Sequence, residues 1–393
     1  MPHVRSAALN FLVPAGYVFD PEEHLGMASV LGALITRGAG ARDSRALSLA
    51  LDNLGLDRDE SVGSMHARFW AATVASNLPA ALEIYADILR RPHLPAEELE
   101  PVQALALQDL QSLEDEPRHK VLVELRRRYF PPPLGRDRRG TAETIKSLTI
   151  DKVRAHFAKT FQPKGTILSV AGNVEWKPLR DQVERLFGDW TGGPEPTWRQ
   201  GKAALGRAHL HKDTTQTQIS IAYPSVPIGH PDYYVAQGAV NILSGGFSSR
   251  LFTEVHEKKG LCYSVWASYI SFKKEACICC YAGTTNERAQ ETLDVTLREL
   301  VRLQEGVTKD EVEKVQAGLK SSLIMQEEST SARAGALAGD WFYLGRVRTL
   351  DEIQEAIDGL TPRRIVAHAK RFPAREFTIV TLGPKPLKFK TKN

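Results

Sequence analysis

The sequence predicts an α+β protein made of two homologous α/β-sandwich domains, each with an antiparallel-rich sheet packed with helices. Strand-like runs alternate with amphipathic helical runs along the whole chain. A stretch rich in Gly and Pro, WTGGPEPTW at 190–198, has the composition of a linker. We therefore expect an N-terminal domain at 1–190, a linker at 191–204 and a C-terminal domain at 205–393.

An internal repeat supports two related domains. The segment SLTIDKVRAHFAKTFQPKGTILSVAG (147–172) matches GLTPRRIVAHAKRFPAREFTIVTLG (359–383). His156 and His368 occupy matching positions, 212 residues apart. The shared residues predict the same helix and strand in both halves. We expect both histidines to pack or cap a helix rather than to take part in catalysis.

In the first half, hydrophobic periodicity and the positions of Gly and Pro set the expected elements. Pro21 and two acidic residues mark a helix start, and prolines 92 and 117 mark helix ends. The expected strands cover 6–19, 68–74 and 165–170, and the expected helices cover 27–35, 43–55, 78–90, 95–116, 148–161 and 176–187.

The second half repeats this order. Its expected strands cover 218–223, about 263–270 and 276–282. Its expected helices end near 243 and 256 and then cover 287–304, 309–325, about 330–343 and 350–357. The composition is that of a globular protein, with 42% hydrophobic and 25% charged residues. A net charge of +4 over 393 residues argues against a dedicated nucleic-acid binder.

Cysteine usage and hydropathy predict a cytoplasmic protein. Four cysteines do not form a disulfide framework in a chain of this length. We expect Cys277, Cys279 and Cys280 to lie reduced in a buried strand. There is no signal-peptide pattern and no apolar run long enough to cross a membrane. The abrupt start leaves room for a leader or a further strand ahead of residue 1.

One stretch carries residues that could act on a peptide carbonyl. Residues 241–266, NILSGGFSSRLFTEVHEKKGLCYSVW, combine a Gly-rich turn, a helix and the start of a strand. Arg250 offers a fixed cationic fork and Tyr263 a phenol. A structural interpretation is also open, in which Arg250 pairs with Glu254 one helical turn later and Tyr263 is a core strand residue.

From about residue 6 to 385 the chain resembles the pitrilysin, insulinase and mitochondrial processing peptidase family of inverzincins. The segment TQTQISIAYPSVPIGHPDYYVAQGAVNILSGGFSSRLFTEVHEKKGLCYSV carries the resemblance most specifically. It implies two α+β domains joined by a linker in a clamshell pair. Active members carry H-x-x-E-H, in which two histidines bind zinc and the glutamate activates a water molecule. A third ligand, a glutamate, follows on another helix.

This chain departs from that motif. By alignment, the two histidines and the glutamate are replaced by Ser29, Ala33 and Gly32, and Asp109 occupies the place of the third ligand. One carboxylate is too few, because zinc needs about three protein ligands. No histidine elsewhere is followed by x-x-E-H. We expect no metal in this chain, and zinc in a partner subunit instead.

The resemblance also implies roles for the C-terminal motif, SSRLFTEVHEKKGLCYS. Arg250 and Tyr263 correspond to the pair that contacts substrate near the scissile carbonyl. The turn formed by Ser244, Gly245, Gly246 and Phe247 resembles the glycine-rich loop of non-catalytic processing-peptidase subunits, where an extended peptide can approach, although a plain helix-start turn explains it equally well.

The resulting hypothesis is a non-catalytic subunit of a heterodimeric zinc metallopeptidase. It would bind peptide and supply Arg250 and Tyr263 to a homologous partner that carries H-x-x-E-H. The alternatives are a structural protein of the same fold, like the core subunits of a respiratory complex, and a peptide-binding homodimer without chemistry. An active zinc peptidase is disfavoured by the missing motif. The substrate and the identity of the partner stay open.

Overall fold

The structure is a computed structural model that describes residues 1–389. The chain forms two compact units. Unit 1 comprises residues 1–112, 132–201 and 326–342, and unit 2 comprises residues 113–131, 202–325 and 343 onward. Each unit thus takes one short segment from the opposite half of the sequence. None of the described helices is long and apolar enough to cross a membrane.

The strands, in chain order, are β1 (Ser6–Val13), β2 (Gly38–Ala39), β3 (Arg42–Asp43), β4 (Asp57–Val62), β5 (Ala67–Val74), β6 (Ile167–Gly172), β7 (Arg207–His211), β8 (Gln216–Pro224), β9 (Cys262–Ser271), β10 (Ala276–Thr285) and β11 (Thr378–Gly383).

The α-helices, in chain order, are α1 (Met27–Leu34), α2 (Ser44–Asn53), α3 (Leu78–Arg90), α4 (Leu99–Asp115), α5 (Pro117–Tyr129), α6 (Ala142–Lys146), α7 (Ile150–Thr160), α8 (Trp176–Phe187), α9 (Tyr233–Ser244), α10 (Ala289–Arg302), α11 (Lys309–Glu328), α12 (Thr330–Leu344), α13 (Leu350–Asp358) and α14 (Pro362–Arg371). A π-helix covers Phe252–Glu257.

Unit 1 contains a four-stranded sheet in the order β4-β5-β1-β6. All its neighbouring strands are antiparallel. In β5 buried residues alternate with half-buried ones as far as the exposed Val74, because successive side chains point to opposite faces. The core of this unit includes Phe11, Leu31, Phe69 and Tyr85, each at most 1% exposed.

Unit 2 contains a five-stranded sheet in the order β7-β11-β8-β10-β9. Its strands are antiparallel except for the parallel pair β11 and β7. The order β9-β10-β8-β11 repeats the order β4-β5-β1-β6 of unit 1. The two predicted α+β domains of one architecture are therefore present, and β4 and β9 occupy equivalent edges.

Each sheet is covered by a helix from the other half of the chain. In unit 1, the Ser169 hydroxyl donates to the Ala334 carbonyl of α12 over 2.7 Å. Ala8 and Ala171 of the sheet pack with Ala334, and these small side chains let the helix approach closely. In unit 2, the Ser220 hydroxyl donates to the Val121 carbonyl of α5 over 3.1 Å.

Several expectations need revision. The strand expected over 6–19 ends at Val13, and the helix expected over 95–116 begins at Leu99. Strand β4 and helix α5 had no prediction. The linker expected at 191–204 stays a prediction. The compact units do not follow this division throughout, because α5 belongs to unit 2 and most of α12 belongs to unit 1. Residues 390–393 of the expected second domain lie outside the described residues.

The prediction that three cysteines lie in a buried strand without disulfides is confirmed. Cys277, Cys279 and Cys280 lie on β10, and all three are buried and unpaired by disulfides. Burial raises the pKa of Cys279 to about 12, so this thiol stays protonated at neutral pH. These cysteines act as small packing residues in the sheet.

Candidate functional site

The degenerate motif positions of unit 1 line one cavity. Ser29, Gly32 and Ala33 lie on α1, and Asp109 faces them from α4. The cavity has a volume of about 430 Å³. On a helix, positions three and four residues apart share a face, so the first three positions point to the same side. The structure thus brings together the four positions that the sequence alignment selected.

The start of α1 is fixed by a buried carboxyl group. Asp20 accepts hydrogen bonds from the backbone N–H groups of Gly26 and Ala28, each over 2.9 Å. Gly26 has a φ of 90°, and a Cβ atom there would lie 2.6 Å from the Arg139 carbonyl oxygen. Glycine is therefore required at this point. These contacts set the direction in which α1 presents its motif face to the cavity.

The groups at these positions do not fit a zinc ion. The Asp109 carboxylate accepts a hydrogen bond from Arg139 Nε over 3.0 Å. The Ser29 hydroxyl donates to the Arg138 carbonyl over 2.8 Å. Among residues 1–389 no group of three or more His, Cys, Asp or Glu could hold a metal. The Asp109 carboxylate is therefore neutralised by the Arg139 guanidinium, and the other motif positions offer no set of three side chains that could bind zinc.

The rest of the cavity is mainly apolar. Val62 of β4 and Phe69 of β5 form one wall, and Val102 and Leu105 of α4 form another. Phe69 is 1% exposed, whereas Leu105 is 58% exposed at the surface. The cavity therefore has a closed apolar side and an open side at α4.

A buried carboxyl–imidazole pair lies behind α1. His156 Nε2 is 3.7 Å from Asp20 Oδ1, and both side chains are almost fully buried. Burial raises the pKa of Asp20 to about 7 and lowers the pKa of His156 to about 4. In unit 2, His368 Nδ1 lies 3.4 Å from Asp232 Oδ2, 212 residues further on. The packing role expected for both histidines agrees with these contacts.

Unit 2 carries the second part of the predicted site. Helix α9 ends at Ser244, and Gly245, Gly246 and Phe247 form an exposed turn. The next helix includes the π-helix, in which the Lys258 N–H donates to the Thr253 carbonyl over 2.9 Å. Such π-helical segments are rare and occur often at functional sites. They realign side chains relative to an α-helix.

Arg250 is held in a two-pronged ion pair. Its Nε and Nη2 atoms donate to the two carboxylate oxygens of Glu311 over 2.6 and 3.0 Å, and Nη2 also donates to the Gly306 carbonyl. The residue is 9% exposed. Burial alone would raise the pKa of Glu311, but the hydrogen bond from Arg250 leads the contacts that hold it below its usual value. Glu254, the partner considered from sequence, pairs with Lys258 instead.

Tyr263 has a different environment. It lies near the start of β9, an edge strand of its sheet, and is 89% exposed. The alternative that it is a core strand residue is therefore wrong. Phe247 is 82% exposed and lies edge-on against Phe252, with ring centroids 5.1 Å apart. The segment thus presents two exposed aromatic side chains and one buried arginine.

Three residues of these sites were missed by sequence reasoning. Arg139 lies in a basic segment at 136–139 to which the sequence assigns no role, and Glu60 lines the cavity from the unpredicted strand β4. Glu311 lies 61 residues after Arg250. The spacing of residues along the sequence does not predict which distant side chains will pair.

Two family models match the chain. One is described as Insulinase (Peptidase family M16) and matches residues 1–141; the other is the Peptidase M16 inactive domain and matches residues 147–319. The two matches, one on each half of the chain, agree with the two-domain fold described above. The chain belongs to the M16 peptidase family.

The chain is also similar to individual proteins. An uncharacterized zinc protease of Rickettsia bellii is 25% identical over 98% of this chain and 94% of its own length. An uncharacterized zinc protease of Bacillus subtilis is 26% identical, with the same coverage of both chains.

Two solved structures share the fold. A peptidase M16 inactive domain from Pseudomonas fluorescens has a TM-score of 0.90 and 21% identity, and the match covers 99% of this chain and 95% of that one. A protease from Helicobacter pylori has a TM-score of 0.89 and 20% identity, covering 97% and 95%. At these identities the likeness concerns the fold alone.

Proposed function

We propose that this chain is the non-catalytic subunit of a heterodimeric zinc metallopeptidase. Its homologous partner carries H-x-x-E-H and the zinc ion. The observation that supports this most directly is the contrast between the two sites. Ser29, Gly32 and Ala33 provide no zinc ligands, and Asp109 is paired with Arg139. Tyr263 is fully presented at the surface.

Peptide binding is the second part of the proposal. Strands β4 and β9 lie at sheet edges, and each pairs with a single neighbour among the described strands. An extended peptide can add to such an edge through main-chain hydrogen bonds. The exposed turn from Ser244 to Phe247 lies between α9 and the π-helix of the same unit as β9. Peptides and unfolded segments are the substrates that bind in this way.

Arg250 and Tyr263 have different roles at the partner's active site. The exposed phenol of Tyr263 contacts the peptide carbonyl and stabilises the charge that develops on its oxygen. Arg250 is buried against Glu311 and therefore acts as a positioning residue for the segment that leads to Tyr263. The chemistry of bond cleavage belongs to the zinc ion and the glutamate of the partner.

The test is a peptidase assay of this chain, of a homologous chain from the same organism with H-x-x-E-H, and of their mixture. We expect cleavage by the mixture and little or none by either chain alone. Tyr263→Phe in this chain should lower kcat about 100-fold, since one preorganised donor has that effect elsewhere. Trp176→Phe, at a residue 73% exposed, is the control.

A structural or peptide-binding protein without a role in proteolysis is the second candidate. The buried Arg250–Glu311 pair favours it, because this pair gives Arg250 a structural task. An inactive mixture that still binds peptide would support a binding protein. Unchanged turnover with Tyr263→Phe in an active mixture would refute the role of the phenol.

A further inference from the structure

Glu60 lies in the wall that β4 contributes to the cavity at the degenerate motif. Glu60 lies on β4, two residues before Val62, so the two side chains share one face of the strand. That face meets α1, because a Cβ atom at Gly32 would lie 2.8 Å from Val62 Cγ2. Both residues line the cavity.

The Glu60 carboxyl group has an unused acceptor. Its Oε1 atom is buried and has no hydrogen-bond partner among the described residues. The nearest cation is Arg58, whose Nη1 lies 3.7 Å away, beyond hydrogen-bond distance. Burial raises the pKa of Glu60, with Arg58 acting in the opposite direction. A buried acceptor without a donor is costly, and a ligand that brings an O–H or N–H group would satisfy it.

The size and walls of the cavity suit a side chain. Its volume of about 430 Å³ falls in the range of small-molecule sites, about 300–1,000 Å³. Val62, Phe69 and Val102 supply apolar walls. Tyrosine and tryptophan combine a large apolar ring with one polar hydrogen, and they usually find an acceptor when they are buried.

We propose that the cavity formed by the loss of the zinc motif binds a tyrosine or tryptophan side chain of an extended peptide, with its polar hydrogen donated to Glu60. This inference rests on the peptide binding proposed above and names the anchor residue. The space that the missing histidine side chains would fill, at Ser29 and Ala33, becomes the space for the ring.

The cavity also lies beside the edge where such a peptide would run. Asp59, Glu60, Ser61 and Val62 of β4 all line it. Alternate residues of an added strand point to the same face, so one residue of a paired peptide can enter the cavity while its neighbours point away. One anchor per bound segment is therefore sufficient.

The experiment measures fluorescence anisotropy of short labelled peptides of Thr, Val and Gly that differ only at one central residue. The full chain is used without a partner. We expect binding to weaken about fivefold from Tyr to Phe, because one hydrogen bond is lost, and at least about tenfold from Tyr to Ala. Tryptophan should bind about as well as tyrosine.

Two variants locate the anchor. Ala33 is exposed on the cavity side of α1, and Ala33→Phe should reduce binding of the Tyr peptide to the level of the Ala peptide. Glu60→Met should leave the Phe peptide unaffected and reduce the Tyr-to-Phe ratio to about one. Ala155→Phe, at an exposed position of α7, is the matched control, and thermal unfolding shows that each variant is folded.

The outcomes separate the inference from the proposed function. Peptide binding without preference for an aromatic residue, or with full affinity in Ala33→Phe, would overturn the anchor and leave peptide binding intact. A failure of every peptide to bind, both to this chain and to the mixed pair, would overturn the anchor and peptide binding together.

Discussion

A carboxyl–imidazole pair recurs in both halves of the chain, and in unit 1 both of its side chains are buried. Asp20 and His156 in unit 1 have counterparts in Asp232 and His368, each 212 residues later. In unit 1 the carboxyl group also caps the helix that carries the motif positions. The pair therefore links the start of α1 to α7. The pH dependence of stability tests the protonation states of Asp20 and His156 in the folded protein.

We predict opposite pH effects for the two partners. Burial raises the pKa of Asp20 to about 7, above its usual value of 3.8, and lowers the pKa of His156 to about 4, below its usual value of 6.5. From about pH 6.5 down to 4, the unfolded chain protonates the histidine before the folded chain does, which destabilises the fold. Over the same interval the folded chain holds a proton on Asp20 that the unfolded chain lacks, which stabilises it. Each slope is at most about 1.4 kcal/mol per pH unit, and they largely cancel.

Single substitutions should reveal each slope. In Asp20→Asn the free energy of unfolding should fall relative to the wild type on acidification from about pH 6.5 to 4, because His156 acts alone. In His156→Gln it should rise over the same interval. Urea unfolding at several pH values measures both. If the free energy of unfolding of both variants changed with pH as it does in the wild type, the claim that Asp20 and His156 are both neutral in the folded protein would be wrong.

The Arg250–Glu311 pair gives a second prediction. Arg250→Gln should lower the free energy of unfolding by about 2–3 kcal/mol, because it leaves a half-buried carboxylate with fewer donors. The Arg250→Gln/Glu311→Gln double variant should lose less than the sum of the two single variants. Chemical denaturation measures this coupling. Additive losses would show that the two side chains do not support each other.

At the scale of elements, the helix exchange explains why some residues are buried. Val121 and Leu125 of α5 are 0% and 2% exposed, and α5 packs on β8 and β11 of unit 2. Its amphipathic pattern is weak, and three arginines occupy its last turn. The sequence contains no local signal that selects a distant sheet as the partner of this helix.

We predict that Leu125→Ala destabilises unit 2 preferentially, by about 2–4 kcal/mol, because it leaves a cavity under α5. Hydrogen exchange should accelerate in β8 and β11 more than in β1. Leu49→Ala, at a leucine that is 58% exposed on α2, is the control and should change exchange little. Equal acceleration in β1 and β8 would contradict the assignment of α5 to unit 2.

The sequence predicts the elements that have strong periodicity. The helices over 78–90 and 176–187 were predicted with the bounds that the structure shows. Strand β4, DRDESV, was missed because its charged residues have low strand propensity; its pairing with β5 places it in the sheet. The partner of Arg250 was missed for a related reason, since an ion pair across 61 residues depends on tertiary structure.

At the scale of the whole molecule, the two halves share one architecture and carry different residues at their candidate sites. Both sheets keep the same strand order. The motif positions of α1 in unit 1 hold Ser29, Gly32 and Ala33, whereas unit 2 carries Arg250 and Tyr263. The four altered positions still line one cavity. Introducing zinc ligands at these positions tests whether the backbone here has the geometry of a zinc site.

We predict that Ser29→His, Ala33→His and Asp109→Glu together, with Arg139→Gln to release the carboxylate, create a site that binds one zinc ion per chain. Three protein ligands suffice for a catalytic-type zinc site. Metal analysis after dialysis measures the stoichiometry. The same variant with Ser29 retained has two ligands and should lose most of the zinc. Gly32→Glu is omitted because a Cβ atom there would contact Val62 at 2.8 Å, and this position supplies the base rather than a ligand. A folded variant that retains no zinc would show that α1 and α4 have moved away from the geometry that a zinc site needs.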